Sequence, residues 1–213
     1  MKTVVVITFI FGMMLLSFNL DAAPVDGGIH LLISSPMGEM AEVSKTGMGL
    51  GGKFLAGFEM QPWFAIRGDI GYLSYDSKQY LVNFGGYAVY ETVRREGFQL
   101  AIGPQLTYNK DSFKLYLSPM AGYYYFQTVI SLPEVAYYYG YMASDTKDSY
   151  GVFGWTVGGG FMFDIGLGPW IDVGIKYNYL FDGARRKIEN EVIKNDGSDL
   201  TISLGVVFYS NVQ

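Results

Sequence analysis

A strict alternation of side chains between residues 98 and 125 constrains this chain more than any other feature of its sequence. Large apolar residues occupy every second position, and residues between them are mostly small or polar. In the first half the apolar set is Phe98, Leu100, Ile102, Leu106 and Tyr108. Successive side chains of a β-strand point to opposite faces, so this stretch predicts a strand with one apolar and one small, polar face. The pattern resumes at Phe113 after a polar turn at Lys110 and Asp111, which predicts a β-hairpin.

The alternation recurs along the chain often enough to predict eight strands. We expect them at about residues 29–35, 47–60, 63–75, 98–109, 113–125, 150–165, 170–181 and 200–209. Short connections fall at 61–62, 110–111 and 166–169. Long connections fall at 36–45, 76–97, 132–149 and 182–198, and residues 80–90 could also extend strand three or four beyond the barrel. An even number of strands with alternating short and long connections is the plan of an outer-membrane barrel. The sequence therefore predicts an all-β fold, an eight-stranded antiparallel up-and-down transmembrane β-barrel.

The first residues have the composition of a secretory signal. Lys2 provides a positive start, an apolar run extends from Val4 to Leu16, and small residues follow up to Ala23. A cleaved signal peptide has these three parts. The alternative is a retained membrane anchor, which needs about 20 apolar residues and so a longer run than this one. We predict a signal peptide over residues 1–22 and one barrel domain over residues 23–213.

The direction of the apolar face decides between two classes of barrel. A soluble, lipocalin-like barrel has its apolar face inside, whereas a membrane barrel has it outside. The other face here is mostly Gly, Ser, Ala, Thr and Gln, which suits the narrow interior of an eight-stranded barrel. Its few charges balance in sign, and paired charges can form a buried network. The predicted interior network comprises Lys53, Glu59, Arg67, Asp69, Lys114, Asp164, Asp172 and Lys176.

Aromatic residues mark both ends of the apolar face. At the short-turn end they are Phe58, Phe64, Tyr108, Phe113, Phe163 and Phe208. Toward the long-loop end they are Tyr72, Phe98, Tyr123, Tyr125, Phe153, Trp155, Tyr177 and Tyr179. Two aromatic belts are typical of two membrane interfaces. The sequence therefore favours a lipid-facing apolar surface over a soluble barrel.

Over nearly all of the predicted mature chain, the sequence resembles the small outer-membrane β-barrel proteins of the OmpA/OmpX type. The resemblance is carried by GMGLGG at 47–52, GWTVGGGFMFDIG at 154–166 and LTISLGVVFY at 200–209. It implies an outer-membrane location and assembly by the barrel-assembly machinery, which reads a terminal strand that usually ends in an aromatic residue. Here Phe208 is followed by Tyr209 and four further residues, which departs from that pattern.

Two prolines, Pro104 and Pro119, lie inside the central hairpin. Proline removes a hydrogen-bond donor from the ladder of a sheet. In a simple register the two prolines lie at similar depth on adjacent strands. We therefore expect a local bulge or kink at this point of the barrel wall.

The run from Gly47 to Gly52 matches the G-x-G-x-x-G pattern of dinucleotide sites. Such a site needs its glycines between a strand and a helix whose N-terminus meets the phosphates. Here the run lies within a strand pattern that no helix follows. We interpret these glycines as small interior residues and predict no cofactor.

His30 is the one histidine of the chain. Membrane-embedded lipid A deacylases and acyltransferases resemble this architecture and carry His and Ser near the outer rim. Ser34 lies four residues from His30, or about 13 Å along a strand, whereas a working Ser–His pair needs about 3 Å. We interpret His30 as a packed or hydrogen-bonded interior residue near the periplasmic end, and predict no catalytic or metal site.

Two further pairs of residues have the chemistry of a carboxylate with a neighbouring cation. They are Asp69 with Arg67, and Asp172 with Lys176. A carboxylate with electrophilic support can perform acid–base work. The same residues are explained by salt bridges in the barrel interior, which is the interpretation that we favour.

The predicted outer loops carry the candidate contact residues. The cationic set is Arg94, Arg95, Arg185, Arg186 and Lys187. Guanidinium groups bind phosphates bidentately, so this set could contact lipopolysaccharide or could be ordinary solvated loop charges. The aromatic set is Tyr137, Tyr138, Tyr139 and Tyr141. Such tyrosines are favoured at protein interfaces and also at the membrane surface.

Composition narrows the function classes. A net charge of -5 argues against a nucleic-acid partner, and the absence of cysteine excludes disulfides and thiolate metal sites. We expect a monomeric, non-enzymatic protein that contacts outer-membrane lipid, lipopolysaccharide or a cell-surface partner through loops 127–149 and 182–198. The alternatives are a narrow gated channel for small solutes and a lipid-modifying enzyme.

Overall fold

The computed structural model describes residues 25–58, 61–84, 87–131, 146–166, 168–188 and 191–209. Of residues 82–84, 87–89, 146, 184–188 and 191–195 it describes the backbone alone. The predicted signal peptide and the tyrosines at 137–141 lie outside these ranges. The predictions made for those segments stay predictions.

Eight antiparallel strands close into one barrel, in which each strand pairs with its sequence neighbours and the first pairs with the last. The strands are β1 (Val25–Met37), β2 (Gly47–Gly57), β3 (Phe64–Phe84), β4 (Tyr87–Lys110), β5 (Phe113–Ser131), β6 (Thr146–Asp164), β7 (Trp170–Ile188) and β8 (Glu191–Phe208). One short helix, α1 (Met40–Val43), lies between β1 and β2. Across the described ranges, no helix has the length and apolar character needed to cross a membrane. The predicted up-and-down topology is confirmed.

Several strands are longer than the sequence pattern predicts. The connection predicted at 76–97 is almost entirely strand, because β3 and β4 stay paired from Lys78 with Val93 to Phe84 with Tyr87. The loop predicted at 182–198 is likewise the paired ends of β7 and β8. The register of both hairpins shifts, after Tyr75 in β3 and after Leu180 in β7. A register shift breaks the two-residue alternation, so the sequence pattern stops before the strand does.

The apolar face points outward. In β1, Ile29 and Leu31 are 67% and 59% exposed, whereas Leu32, the residue after Leu31, is 2% exposed and faces the lumen. The same alternation holds in β5, where Leu115 and Leu117 are exposed and Tyr116 is buried. A barrel with a continuous apolar outer surface is stable only where hydrocarbon, such as the acyl chains of a membrane, surrounds it. The lipid-facing alternative predicted from the sequence is therefore the correct one.

Exposed aromatic side chains lie at both ends of the outer surface. Those near the short turns include Phe58, Trp63, Tyr108, Phe113 and Phe208. Those near the long connections include Tyr72, Tyr123, Phe153, Trp155 and Phe181. The upper rings contact one another, with centroid distances of 5.3 Å for Tyr123 and Phe153 and 5.4 Å for Trp155 and Tyr179. Two such belts are typical of the interfaces of a membrane.

The two prolines interrupt the barrel wall without a bulge. Ile102 faces Ala121 and Leu106 faces Leu117, so three residues separate these pairs on each strand. No residue is inserted, so of the expected bulge or kink the bulge is wrong, and the ladder is interrupted without a change of register. Pro104 and Pro119 lie opposite each other within the gap, where neither has an N–H to donate. The Ser118 hydroxyl donates to the Pro104 carbonyl at 2.8 Å and supplies one replacement bond.

Candidate functional site

Asp172 is the centre of a charged cluster in the lumen. Its Oδ2 lies 2.7 Å from Nε2 of His30 and also binds the ammonium group of Lys53. Its Oδ1 accepts a hydrogen bond from the Tyr116 hydroxyl at 2.9 Å. These four residues come from β7, β1, β2 and β5, so the contacts cross the barrel rather than follow one strand. All four side chains are buried.

Asp69 holds the second half of the cluster. Arg67 donates to both of its oxygens, from Nε to Oδ1 at 2.8 Å and from Nη2 to Oδ2 at 2.9 Å. Lys176 donates to Oδ2 at 3.1 Å. The guanidinium carbon of Arg67 lies 5.1 Å from the centroid of the Tyr116 ring, which connects the two halves. A bidentate guanidinium–carboxylate pair has the geometry that a buried ion pair needs.

The charged cluster fills the middle of the lumen. It contains three cations, Lys53, Arg67 and Lys176, and the two carboxylates of Asp69 and Asp172, with His30 beside them. A cavity of about 10 Å³ borders these residues. A cavity of that size holds about one water molecule. The space beside the described members of the charged cluster is therefore about the size of one water molecule.

The structure brings together five of the eight residues predicted for the interior network. Lys114 lies instead at the short-turn end, with its ammonium group 4.3 Å from the Trp170 centroid and 3.7 Å from the Tyr209 centroid. Asp164 is exposed, and its Oδ1 accepts a hydrogen bond from the Gly166 amide at 2.7 Å in the turn. Its placement inside the barrel was therefore wrong, because β6 ends at this residue. Glu59 lies outside the described residues.

Of the two pairs expected within the charged cluster, Arg67 with Asp69 is confirmed and Asp172 with Lys176 is wrong. The sequence suggested a pair between Asp172 and Lys176, which lie four residues apart on one strand. The structure places Lys176 on Asp69 and Lys53 on Asp172. Pairing across the lumen depends on the stagger of the closed barrel, which residue spacing does not show. The inward parity of His30 indicated its position but not its contact with Asp172.

A second polar layer lies next to the charged cluster. Asn178 is its centre, accepting at Oδ1 from the Thr156 hydroxyl at 2.7 Å and from the Tyr124 hydroxyl at 3.2 Å. Its Nδ2 donates to Asp199 at 2.8 Å, and Asp199 also accepts from Thr201 at 2.8 Å. These side chains are buried and bonded to one another. The layer adds a second closed cross-section to the lumen.

The end of the lumen near the long connections is closed by an apolar plug. We define the plug as Leu32, Met40, Leu73, Tyr75, Phe126, Tyr150, Val152 and Leu180. Met40 belongs to α1 and is fully buried, so the connection between β1 and β2 folds back into the barrel mouth. Tyr80 holds α1 from outside by donating from its hydroxyl to the Glu42 carbonyl at 2.6 Å.

Arg95 lies inside this plug and not on an outer loop. Its guanidinium carbon is 4.3 Å from the Phe126 centroid and 5.3 Å from the Tyr150 centroid. It donates to the Gly183 carbonyl at 2.8 Å and to the Ser44 hydroxyl at 3.2 Å. The expected contact of Arg95 with lipopolysaccharide is therefore wrong. The reason is that β4 extends past this residue and directs its side chain into the lumen.

The other predicted contact residues have different positions. Arg94 points outward and donates to Glu96 Oε1 at 3.0 Å. Arg185, Arg186 and Lys187 belong to the paired part of β7, and their side chains lie outside the described set. The tyrosines at 137–141 also lie outside the described residues. Across those parts of the chain that the structure describes, no group of His, Asp or Glu side chains could hold a metal ion.

Comparison with known proteins shows what class of fold this is. No family model matches the sequence, and no curated protein matches it. Among solved structures, the chain resembles a major outer membrane protein from Thermus thermophilus, with a TM-score of 0.54, 11% identity, and coverage of 87% of this chain and 99% of that one. It also resembles Ail, the attachment invasion locus protein of Yersinia pestis, with a TM-score of 0.50, 15% identity, and coverage of 87% and 99%. The chain therefore has the fold of the small outer-membrane β-barrels, as the OmpA/OmpX-type resemblance implied.

Proposed function

We propose that this protein is a non-enzymatic outer-membrane protein whose barrel holds extracellular β-hairpins for contact with a partner. The observation that carries the proposal is the contrast between a filled lumen and long strand extensions. The last residue of β3 paired with β2 is Tyr75, and β3 continues to Phe84. Those nine further residues extend about 30 Å along the strand. They present backbone and side chains away from the membrane.

The orientation follows from the connections. The chain ends of the barrel and its short turns lie at one end, and the strand extensions lie at the other. Outer-membrane barrels have short periplasmic turns and long extracellular connections. The β3–β4 and β7–β8 hairpins then face the exterior of the cell.

The channel and enzyme alternatives find less support in the interior. Three successive layers, the charged cluster, the Asn178 layer and the apolar plug, fill the described lumen. His30 is buried and bonded to Asp172, and Ser34 is buried four residues away. A catalytic group must lie within hydrogen-bond reach of a bound substrate. The burial of His30 and its contact with Asp172 therefore support a structural role for this side chain over a catalytic one.

The proposal is tested by shortening one hairpin. Residues 79–92 would be replaced with a two-residue turn, which removes the β3–β4 extension above Lys78 and keeps the barrel below it. Cells that display this variant should lose adhesion to cultured cell monolayers or matrix-coated surfaces. The lipid-facing variant Ile202→Val should adhere like the unaltered protein. A boiled-versus-unboiled gel shift checks that each barrel is folded.

Three results would overturn the proposal. The first is equal adhesion of cells with and without the displayed protein. The second is a steady conductance of the purified barrel in planar bilayers that an Arg67→Ala variant changes, because that outcome would place a solute path through the lumen. The third is altered lipid A in expressing cells that His30→Ala abolishes, because that outcome would establish the enzyme.

A further inference from the structure

The buried charges of the lumen do not balance. Among the described residues, the charged cluster has the three cations Lys53, Arg67 and Lys176 against the two carboxylates Asp69 and Asp172. The buried residues of the other two layers add one charge of each sign, on Asp199 and Arg95, so one positive charge remains in excess. A charge buried without a counter-charge is strongly unfavourable. Either a lysine of the cluster gives up its proton or a small anion lies in the lumen.

The excess of positive charge is concentrated around the small cavity of the charged cluster. All three cations of the cluster border this cavity of about 10 Å³, namely Lys53, Arg67 and Lys176. Of the two carboxylates only Asp69 borders it. Both oxygens of Asp69 are already bound by cations, Oδ1 by Arg67 and Oδ2 by Arg67 and Lys176. A negative charge in the cavity would therefore meet more attraction than repulsion.

The two lysines at the cavity have more hydrogen-bond donors than they use within the described part of the chain. An ammonium group has three N–H donors. Lys176 uses one of them on Asp69. Lys53 likewise uses one on Asp172. The Ser203 hydroxyl, which also borders the cavity, is a further donor. An anion in the cavity could thus receive charge-assisted hydrogen bonds without breaking an existing ion pair.

The size of the cavity restricts the anion to a single atom. Gly51 borders the cavity and pairs with the inward-facing His30, so a side chain at this position would also point inward. A Cβ there would lie 3.1 Å from the Leu32 side chain and from the Ile70 carbonyl, so the glycine keeps this space open. Carboxylates, sulfate and phosphate have several heavy atoms and do not fit a space of one water molecule. A halide ion is only slightly larger than water, and flexible lysine side chains can adjust to that difference.

We propose that this cavity binds one chloride ion, held by Lys53, Arg67 and Lys176. Chloride is the halide that biological fluids contain in quantity. The ion neutralises the excess positive charge of the lumen, and so it stabilises a cluster in which three cations are buried side by side. The ion enters as the barrel folds and stays within the closed lumen. The site is independent of the proposed function, because it involves neither a hairpin nor a partner.

Crystallography of the barrel refolded and crystallised in sodium bromide tests the proposal, because bromide can replace chloride and scatters anomalously. The unaltered protein should show one anomalous peak in the cavity. Lys176→Met removes one of the three cations and should abolish the peak, while Arg67 still holds Asp69 through two hydrogen bonds. The matched control Arg95→Met also removes one buried cation, but from the apolar plug, and should keep the peak. A barrel without a peak in the cavity, including one with bromide on its outer surface only, would overturn the proposal. So would a peak that persists in Lys176→Met.

Urea unfolding of the barrel in lipid vesicles tests the same site in solution. The unfolding equilibrium constant should be about tenfold smaller in about 0.15 M sodium chloride than in sodium gluconate of equal concentration, since a ligand of the folded state shifts unfolding by mass action. Gluconate has too many atoms for the cavity. The difference between the salts should vanish in Lys176→Met and persist in Arg95→Met. Equal unfolding of the unaltered protein in both salts would contradict a bound chloride and indicate that a lysine of the cluster is neutral. Hairpin adhesion is measured separately, so that result would leave the proposed function intact.

Discussion

The middle of the lumen and its end near the long connections are closed by different kinds of interaction. The charged cluster around Asp172 and Asp69 joins strands β1, β2, β3 and β7 through ion pairs across the barrel, and β5 through the hydrogen bond from Tyr116. The apolar plug instead joins connections to the barrel, since Met40 comes from α1 and Arg95 binds the Gly183 carbonyl at the base of the β7–β8 hairpin.

The difference predicts where each region fails. A charge left without its partner in the cluster is buried among rigid strands and cannot be solvated by a local movement. Its desolvation therefore lowers the free energy of unfolding of the whole barrel. The plug is attached to connecting segments that can open while the barrel stays closed. The cluster should therefore set global stability, and the plug should set the mobility of the long connections.

Asp172→Ala should have the largest effect. It leaves Lys53 and His30 without their carboxylate, and breaking a buried pair on one side costs about 3–5 kcal/mol. The measurement is the free energy of unfolding in urea, with the barrel refolded into lipid vesicles. Asp164→Ala, at an exposed turn, is the control and should stay within about 0.5 kcal/mol of the unaltered protein. A loss below about 1 kcal/mol for Asp172→Ala would show that the cluster does not set global stability.

Arg95→Met should have the next largest effect, and a local one. Methionine keeps most of the apolar stem but removes the bonds to Gly183 and Ser44 and the contact with Phe126, at a cost of about 1–3 kcal/mol. Hydrogen exchange at the amides of Ala41, Glu42 and Ser44 should accelerate by about ten- to a hundredfold. Amides of the lower barrel should exchange as before. Equal acceleration throughout the barrel would contradict the distinction between plug and cluster.

Thr156→Val tests the layer between the two regions. The substitution keeps the shape of a fully buried side chain and removes its hydrogen bond to Asn178, which should cost about 1–2 kcal/mol. Urea unfolding in vesicles measures the loss, and Ile202→Val on the outer face is the control. If the free energy of unfolding is unchanged and only hydrogen exchange near α1 accelerates, the layer belongs with the plug rather than with the barrel.

Arg94→Gln should have the smallest effect on stability. Its ion pair with Glu96 lies on the outer surface, and exposed pairs contribute about 0–1 kcal/mol. The same urea titration should show nearly unchanged unfolding. A loss comparable to that of Arg95→Met would mean that inward and outward positions of β4 contribute equally, which contradicts the asymmetry described above.

The barrel wall was predictable from the sequence because its faces follow a two-residue period. Ile29, Leu31 and Leu32 illustrate this, since each points to the side that parity assigns to it. The extensions were not predictable to the same degree. The register shifts after Tyr75 and Leu180 break the parity, so the strands continue where the pattern becomes irregular. Arg95 was placed on a loop for the same reason.

The members of the charged cluster were partly predictable, and so was the Arg67–Asp69 pair within β3, but the pairs across the lumen were not. Alternation along the strands and the balance of charge predicted five members of the cluster correctly. They are Lys53, Arg67, Asp69, Asp172 and Lys176. Asp172 is bound to residues 142 and 119 positions away in sequence, His30 and Lys53. Such pairs form only after the strands close with a fixed stagger. The plug was missed because the pattern of residues 36–45 contains no sign that α1 folds inward.

The central claim is that this barrel has an apolar outside and a closed inside. Because the chain has no cysteine, single cysteines at residues 31 to 34 can carry spin labels in bilayers without background. Labels at Leu31 and Ile33 should be relaxed by oxygen, which dissolves in lipid, while labels at Leu32 and Ser34 should be reached by neither oxygen nor a water-soluble nickel complex. Access of the nickel complex to positions 32 and 34, or oxygen access at those positions in place of 31 and 33, would contradict the account.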